Sequence, residues 1–468
     1  MPHKKRILTV FNLVMINIIA IDSLRSLPIN AEYGFAIVFF YILGGIFFLL
    51  PCALISAELA TNWPYKGGTY IWVREALGKP FGFANTWLQW VYNVVWYPTI
   101  LTFLATSIAF LFFPAEEHNK VYMISAIVVL FSLATIFNWF GMKLSSLVST
   151  LGAIFGTLLP MCIIIILAIV WLALGHPSAT PLNASHFFPS LYHMKNISFI
   201  IIIVYSLIGI EMSSVHADEV KQPKKGYPKA LLISASIIIC TMIFASLAVA
   251  IVVPMQQLSL VNGLNVAFAH FYDTFHIHWM IPVTEVMIII GGFAGVTTWI
   301  IGPTKSLLIA AKDRSLPAFF AKTNRHKVPT RILLVQWVIV LILCGTFILL
   351  PTISSAYWLL SDMTAQLALI YYMILFVSAI YLRYKCPDRD EDAYMIPGGN
   401  KVMWLVVCMG MLACVVSIIA GFFPPSDLKL ASPWVFEVIL VSGIVVFFAI
   451  PLIIYYITKR VRDEPDHP

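Results

Sequence analysis

The chain has 468 residues, of which 60% are hydrophobic and only 11% charged, with a mean hydropathy of +0.90 and a formal net charge of +7. Soluble domains carry about 25% charged residues, so this composition excludes a soluble globular protein and points to a polytopic α-helical membrane protein. The positive charge does not signal a nucleic-acid partner, because its placement follows membrane topology.

In chain order, apolar runs of the ~20 residues needed to cross a bilayer predict twelve spans. They cover 7–28, 35–58, 84–113, 121–140, 146–174, 196–218, 229–253, 279–311, 331–350, 356–382, 402–423 and 434–458. Lys4, Lys5 and Arg6 precede the first span. It runs on through Pro28 without a small-residue cleavage site, so it reads as a retained helix and not a signal peptide. Segment 62–80 is amphipathic and glycine-broken and is expected at the interface or slightly re-entrant. Segments 175–195 and 254–278 read as polar connections, the second carrying His270, His276 and His278 as exposed loop residues. The seven cysteines are scattered without a C-x-x-C pair and read as small hydrophobes in helices. No soluble domain is expected after the last span. With the N-terminus inside, 24 Lys and Arg residues fall on the cytoplasmic side and 3 outside. By the positive-inside rule both termini are cytoplasmic.

Two spans are interrupted. The first reads "NIIAIDSLRSLPINAEYG", with Asp22, Ser23, Arg25 and Pro28 where an unbroken apolar helix would carry leucine. The sixth reads "YSLIGIEMSSVHADE", with Glu211 two residues after Gly209. A carboxylate at bilayer depth costs roughly 2.5–3.5 kcal/mol on insertion scales, so this one needs a reason. Spans 1–5 and 6–10 start on opposite sides of the membrane and form two inverted sets. Polar interruptions at matching places in inverted halves point to a transporter's midplane site, where freed amides and carbonyls line a cavity. A helix-packing face of small residues is the alternative reading of "SLIGIEMSS".

Three segments carry a resemblance: "AELAT" with "GGTYIWV" after span 2, "GIEMSSVHADEVKQPKKGYP" in span 6, and "WIIGPTKSLLIAAKDRSLPAFFAKTNRHKVPT" from span 8. In that order they resemble the amino acid–polyamine–organocation transporters, and are most similar to bacterial glutamate:GABA antiporters, over nearly all twelve spans. The resemblance implies one all-α transporter domain, 1–468, in a bacterial inner membrane. Residues 7–174 would form the first inverted repeat, 196–382 the second, and 402–458 helices 11 and 12, with helices 1 and 6 discontinuous. Substrate would lie between the breaks, against Asp22, Ser23, Leu24, Arg25, Ser206 and Gly209. The same resemblance makes Tyr205 a gating aromatic, Trp299 the ring stacked over substrate, Tyr372 a pathway tyrosine and Glu211 the proton-coupling group. The implied partners are an amino acid, protons and the bilayer, with no cofactor or metal, in a monomer or homodimer. The chain departs from the family in two places. Ile21-Asp22-Ser23 replaces a Gly-Ser-Gly, and Gly295 stands where this branch has a glutamate. The long C-terminal plug of the glutamate:GABA antiporter is not expected here.

Several residues admit two readings. Asp22 and Arg25, three apart, can neutralise each other, or Arg25 can receive a substrate carboxylate through its bidentate fork. Glu285 and Asp362 are further intramembrane acids, functional hypotheses by default, placed near the outer helix ends. Lys305 is expected to snorkel toward the cytoplasmic interface. The expected function is proton-coupled amino acid exchange, with a small or acidic amino acid as substrate. A symporter or permease for another amino acid, or a non-transporting sensor, are the alternatives. The chain has neither H-E-x-x-H nor G-x-x-x-x-G-K-[ST], which removes zinc hydrolysis and nucleotide-driven pumping.

Overall fold

The computed structural model describes residues 8–65, 67–140, 150–189, 199–214, 220–385, 393–423 and 433–463. Hydrocarbon offers no partner for backbone N–H and C=O groups, so each crossing segment must satisfy them internally. The apolar runs accordingly fold as helices, and a single bridge, Leu8 with Val220, is the only β-pairing among the described residues.

The chain opens with two short helices, α1 (Val10–Ile21) and α2 (Ser26–Ala31). Next come α3 (Gly34–Asn62), the short α4 (Thr69–Leu77), α5 (Lys79–Phe112), α6 (Lys120–Trp139) and α7 (Thr150–Ala173). The second part holds the short α8 (Phe199–Tyr205), α9 (Lys224–Val252), α10 (Gly263–Thr274), α11 (Met280–Lys312) and α12 (Thr330–Leu349). It ends with α13 (Ile353–Lys385), α14 (Gly399–Gly421) and α15 (Trp434–Thr458). Ten of these are long and apolar enough to cross a membrane. The two interrupted spans, α1–α2 and α8 with the turns after it, bring the total to the expected twelve. His216 of the sixth span lies outside the described residues.

The centre of the bundle is α5, which packs against both α11 and α13, while α1 and α3 pack on α9. α7 meets α11 where Gly156 faces Gly291 so closely that a Cβ on either would overlap the other's backbone. α15 is the most lipid-facing helix, with Trp434, Val445, Ile453 and Tyr456 exposed.

Two connecting segments differ from expectation. Segment 254–278 contains α10, which buries Leu264, Phe268, Phe271 and Tyr272. Its apolar positions recur at helical spacing and need a surface to cover, whereas its three histidines stay exposed as expected. Asn265 on α10 donates from Nδ2 to Ser107 Oγ (3.1 Å) and Glu285 Oε2 (3.0 Å), and so ties α10 to α5 and α11. The amphipathic α4 buries Tyr70, Trp72 and Val73 against its neighbours. Glu75 is exposed, and Arg74 and Leu77 are half-buried. The Tyr70 hydroxyl donates to Asp313 Oδ2 at 2.9 Å, and Arg74 pairs with the same carboxylate. Burial, and then the bond to Asp313, raises the Tyr70 phenol above its usual range, so it remains a donor through neutral pH.

At the same end of the molecule, Arg383 Nη1 on α13 meets Glu58 Oε2 on α3 at 2.8 Å, both side chains 2% exposed. The Ile396 N–H donates to the same Glu58 oxygen (2.9 Å), and Arg383 Nε donates to Asn400 (3.1 Å). Removing one partner of such a pair strands a buried charge and costs about 3–5 kcal/mol, whereas replacing both by apolar residues is often neutral. Arg383→Met should therefore lower the melting temperature of the detergent-solubilised protein sharply. Adding Glu58→Met should restore most of the loss. An additive further drop in the double variant would show that the two side chains act independently.

Candidate functional site

The break in the first span starts at Asp22, whose ψ of 110° takes the chain out of helix, and ends where Ser26 N–H returns to Ser23 C=O at 3.0 Å. The break in the second follows Tyr205 and centres on Gly209, with φ +123°. A side chain there would be strained whatever the room. It would also collide, since a Cβ would lie 2.9 Å from Trp299 Cζ2 and 3.3 Å from Ile21 Cγ1. Gly209 lets the two breaks and α11 touch.

Both breaks leave backbone groups without helical partners, and aromatic side chains from neighbouring helices satisfy them. Trp299 on α11 donates its Nε1 proton to the Ala20 carbonyl (3.0 Å). Tyr372 on α13 accepts from the Gly209 N–H (2.9 Å) and donates to Glu211 Oε2. Tyr371 donates to the other Glu211 oxygen at 3.3 Å. Tyr41 on α3 links the breaks to each other, taking a proton from Asn30 Nδ2 at 2.5 Å and bonding Ser206 Oγ at 2.9 Å.

Between the breaks lies a cavity lined by Ala20, Ile21, Ser23, Arg25 and Ser26, by Tyr205, Ser206 and Ile208, and by Tyr92, Asn93, Trp96, Trp299 and Thr364. Arg25 is its one cationic side chain. It is 5% exposed and held from one side: Nη1 donates to Tyr357 OH (3.0 Å) and Ser361 Oγ (3.4 Å). Its guanidinium lies 5.2 Å from the Tyr205 ring centre and 5.5 Å from that of Tyr357. Nε has no hydrogen-bond partner. The cavity thus presents a desolvated guanidinium with an unused donor, opposite a wall of Trp96, Tyr92 and Trp299. That arrangement suits a small ligand bearing a carboxylate. A second cavity adjoins it, sharing Ala20, Ser23, Arg25 and Trp96. It extends over Asp22 and Leu24 to Gly291, Gly292 and Gly295, and the bare Gly295 leaves room beside the Ile19 carbonyl.

Among the expected site residues, Ser23, Arg25, Tyr205, Ser206 and Trp299 line the first cavity, and Asp22 and Leu24 line the second. Asp22 does not pair with Arg25. Its Oδ2 accepts from Thr241 Oγ1 on α9 at 3.0 Å, and its Oδ1 is unpartnered. Gly209, Tyr372 and Glu211 line neither cavity. Tyr372 pins Gly209 to Glu211. Glu211 points toward the two tyrosines of α13, where their hydroxyls supply the donors that bilayer lipid cannot. The sequence reading missed Tyr92, Asn93 and Trp96 on α5 and Tyr357, Ser361 and Thr364 on α13. Their signal was polar and aromatic residues at helical spacing inside apolar spans, "QWVYNVVW" and "YWLLSDMT".

Replacing Tyr372 with Phe leaves the Gly209 amide and one Glu211 oxygen without partners in a dry interior, at about 1–3 kcal/mol for each buried group left unmade. The variant should melt well below the parent protein. An unchanged melting temperature would mean that the breaks do not depend on this pin.

The sequence pattern of the family described as amino acid permease matches residues 8–447. An uncharacterized transporter of Legionella pneumophila is 49% identical over 451 residues, covering 96% of this chain and 97% of its own length. A glutamate/gamma-aminobutyrate antiporter of Lactococcus lactis is 27% identical, covering 94% of this chain and 89% of the relative. A probable agmatine/putrescine antiporter of the same species is 23% identical, covering 91% and 90%.

Proposed function

The chain belongs to the amino acid permease family, and we propose that within it the protein is an antiporter that exchanges amino acids by alternating access, with proton coupling. The observation that carries this reading is the meeting of two broken helices around one cavity that holds Arg25 against an aromatic wall. Half-helix ends and unwound backbone at mid-membrane are how such carriers hold small zwitterions. The relatives named as antiporters for glutamate with gamma-aminobutyrate and for agmatine with putrescine support exchange over one-way uptake. Between those substrate classes, Arg25 supports the carboxylate-bearing one. A guanidinium facing the cavity repels a diamine and attracts a carboxylate, so an acidic or small amino acid of the glutamate type is the proposed substrate. The lysine and arginine distribution supports an orientation with both termini cytoplasmic.

Counterflow in proteoliposomes loaded with a panel of unlabelled amino acids and amines tests the assignment, with glutamate, glutamine and gamma-aminobutyrate expected to drive uptake of label. Agmatine or arginine outcompeting them would reverse the substrate choice. Arg25→Ala should raise the KM for glutamate tenfold or more while sparing amines that lack a carboxylate. An equal effect on both would make Arg25 structural.

Glu211, buried at the break and bonded to two tyrosines, is the proposed group through which protons act on exchange. Glu211→Gln keeps the shape and removes the titration. Its pH profile of exchange should flatten while substrate affinity stays within a few-fold. A parent-like profile would remove Glu211 from the coupling.

A further inference from the structure

Behind the cavity, on the far side of α13, sits an acid that the exchange cycle above does not use. Asp362 is fully buried; neither carboxyl oxygen makes a well-formed hydrogen bond, and the neutral amide of Gln366 is the donor beside it. It faces Gly421 at the end of α14, where a Cβ would overlap Gln366 Nε2 and lie 2.6 Å from Asp362 Oδ1 and 2.7 Å from Ile201 Cδ1 of α8. Only a glycine admits the carboxyl there. Gln366, one turn along α13, gives an Nε2 proton to the Ile418 carbonyl (3.1 Å). Ser417, one turn before Gly421 on the same face of α14, is fully buried and its hydroxyl is likewise unpartnered. A dry carboxyl with only a neutral amide beside it and a dry, unpartnered hydroxyl thus line one seam between α8, α13 and α14.

Among the described residues, no counter-ion faces this seam. From α14 the titratable group on the same face is Cys414, about two turns from Gly421. From α8 it is Tyr205, about one turn from Ile201, and that ring turns to Arg25. On α13 itself Tyr357 also turns to Arg25. α15, whose Gly443 meets Met363, carries Glu437 nearly two turns from that contact. Arg25 stops at Ser361, the residue before Asp362. An ionised carboxylate in such a place is costly because nothing replaces its water, whereas the neutral acid carries no charge to solvate.

We propose that Asp362 is a proton-binding site, separate from the substrate cavity, whose occupancy sets how α8 packs against α13 and α14. The position links two events. Ser361 touches Arg25 on the cavity side and Asp362 lies against Gly421, beside Ile201 of α8, on the other, so a substrate drawing on Arg25 and a proton on Asp362 act on the same turn of α13. α8 in turn ends at Tyr205, in the cavity wall. A proton bound at Asp362 removes the charge from the seam and favours the close packing of α8, and its release favours separation.

This inference rests on the exchange reading, and one set of proteoliposome measurements tells their failures apart. Counterflow at equal pH on both sides reads exchange, and an internal pH dye with an imposed pH gradient reads coupling. Asp362→Asn should keep counterflow at equal pH within about twofold of the parent and lose at least tenfold of the stimulation by the gradient, with Asp362→Glu regaining part of it. Gradient stimulation intact in Asp362→Asn overturns the proposal. So does loss of counterflow in both Asp362 variants, which marks a structural role, and so does stimulation by a sodium gradient at constant pH that only the Asn variant loses. If Asp362→Asn does not fold, Ser417→Ala carries the test, with gradient stimulation reduced several-fold and counterflow unchanged; a parent-like response overturns the site. Absence of counterflow in the parent protein rejects the exchange reading itself.

Discussion

A helix that breaks inside a bilayer exposes amides and carbonyls where no water can reach them, and much of the interior is arranged to answer that demand. Trp299 reaches across to the Ala20 carbonyl and Tyr372 to the Gly209 amide. Each is a large aromatic with one polar tip, able to deliver a single hydrogen bond while filling the space around it with ring. The breaks therefore dictate which residues α11 and α13 carry. They also explain why Glu211 is affordable at this depth, since the phenols that steady the break double as its donors.

The charged groups follow a related logic. Asp22 and Arg25 lie within one turn of each other in sequence yet face different neighbours, Thr241 on α9 for the acid and Tyr357 with Ser361 on α13 for the base. Each keeps one polar atom unpaired. A chain built only for stability would have joined them. Holding them apart leaves a guanidinium edge available at the cavity, steadied by two rings that carry no competing negative charge.

Much of this was legible in the sequence because its signals are local. Apolar run length marked the crossings, and Asp22 to Pro28 and Gly209 with Glu211 marked the breaks, because polar residues at bilayer depth are expensive enough to require a purpose. Arg25, Tyr205 and Trp299, read from the sequence as substrate-site residues, line the cavity. Tyr372, read as a pathway tyrosine, bonds the Gly209 amide and Glu211; a phenol that lines a pathway and one that pins an amide look alike along the chain. The α5 wall of Tyr92, Asn93 and Trp96 went unread because aromatic residues in a span are usually core. The pairing of Glu58 with Arg383, 325 positions apart, and the burial of α10 depend on tertiary neighbours that no local pattern encodes.

Tyr41 gives the two breaks something rarer than proximity. Its single oxygen is shared by Asn30 in α2 and Ser206 just past α8, so segments separated by most of the first half of the chain hang from one hinge pin on α3. A shift of either stretches a bond to the same atom. The two half-helices thus share one anchor on α3: moving either one alone breaks a bond to that oxygen, and moving both together keeps the two bonds.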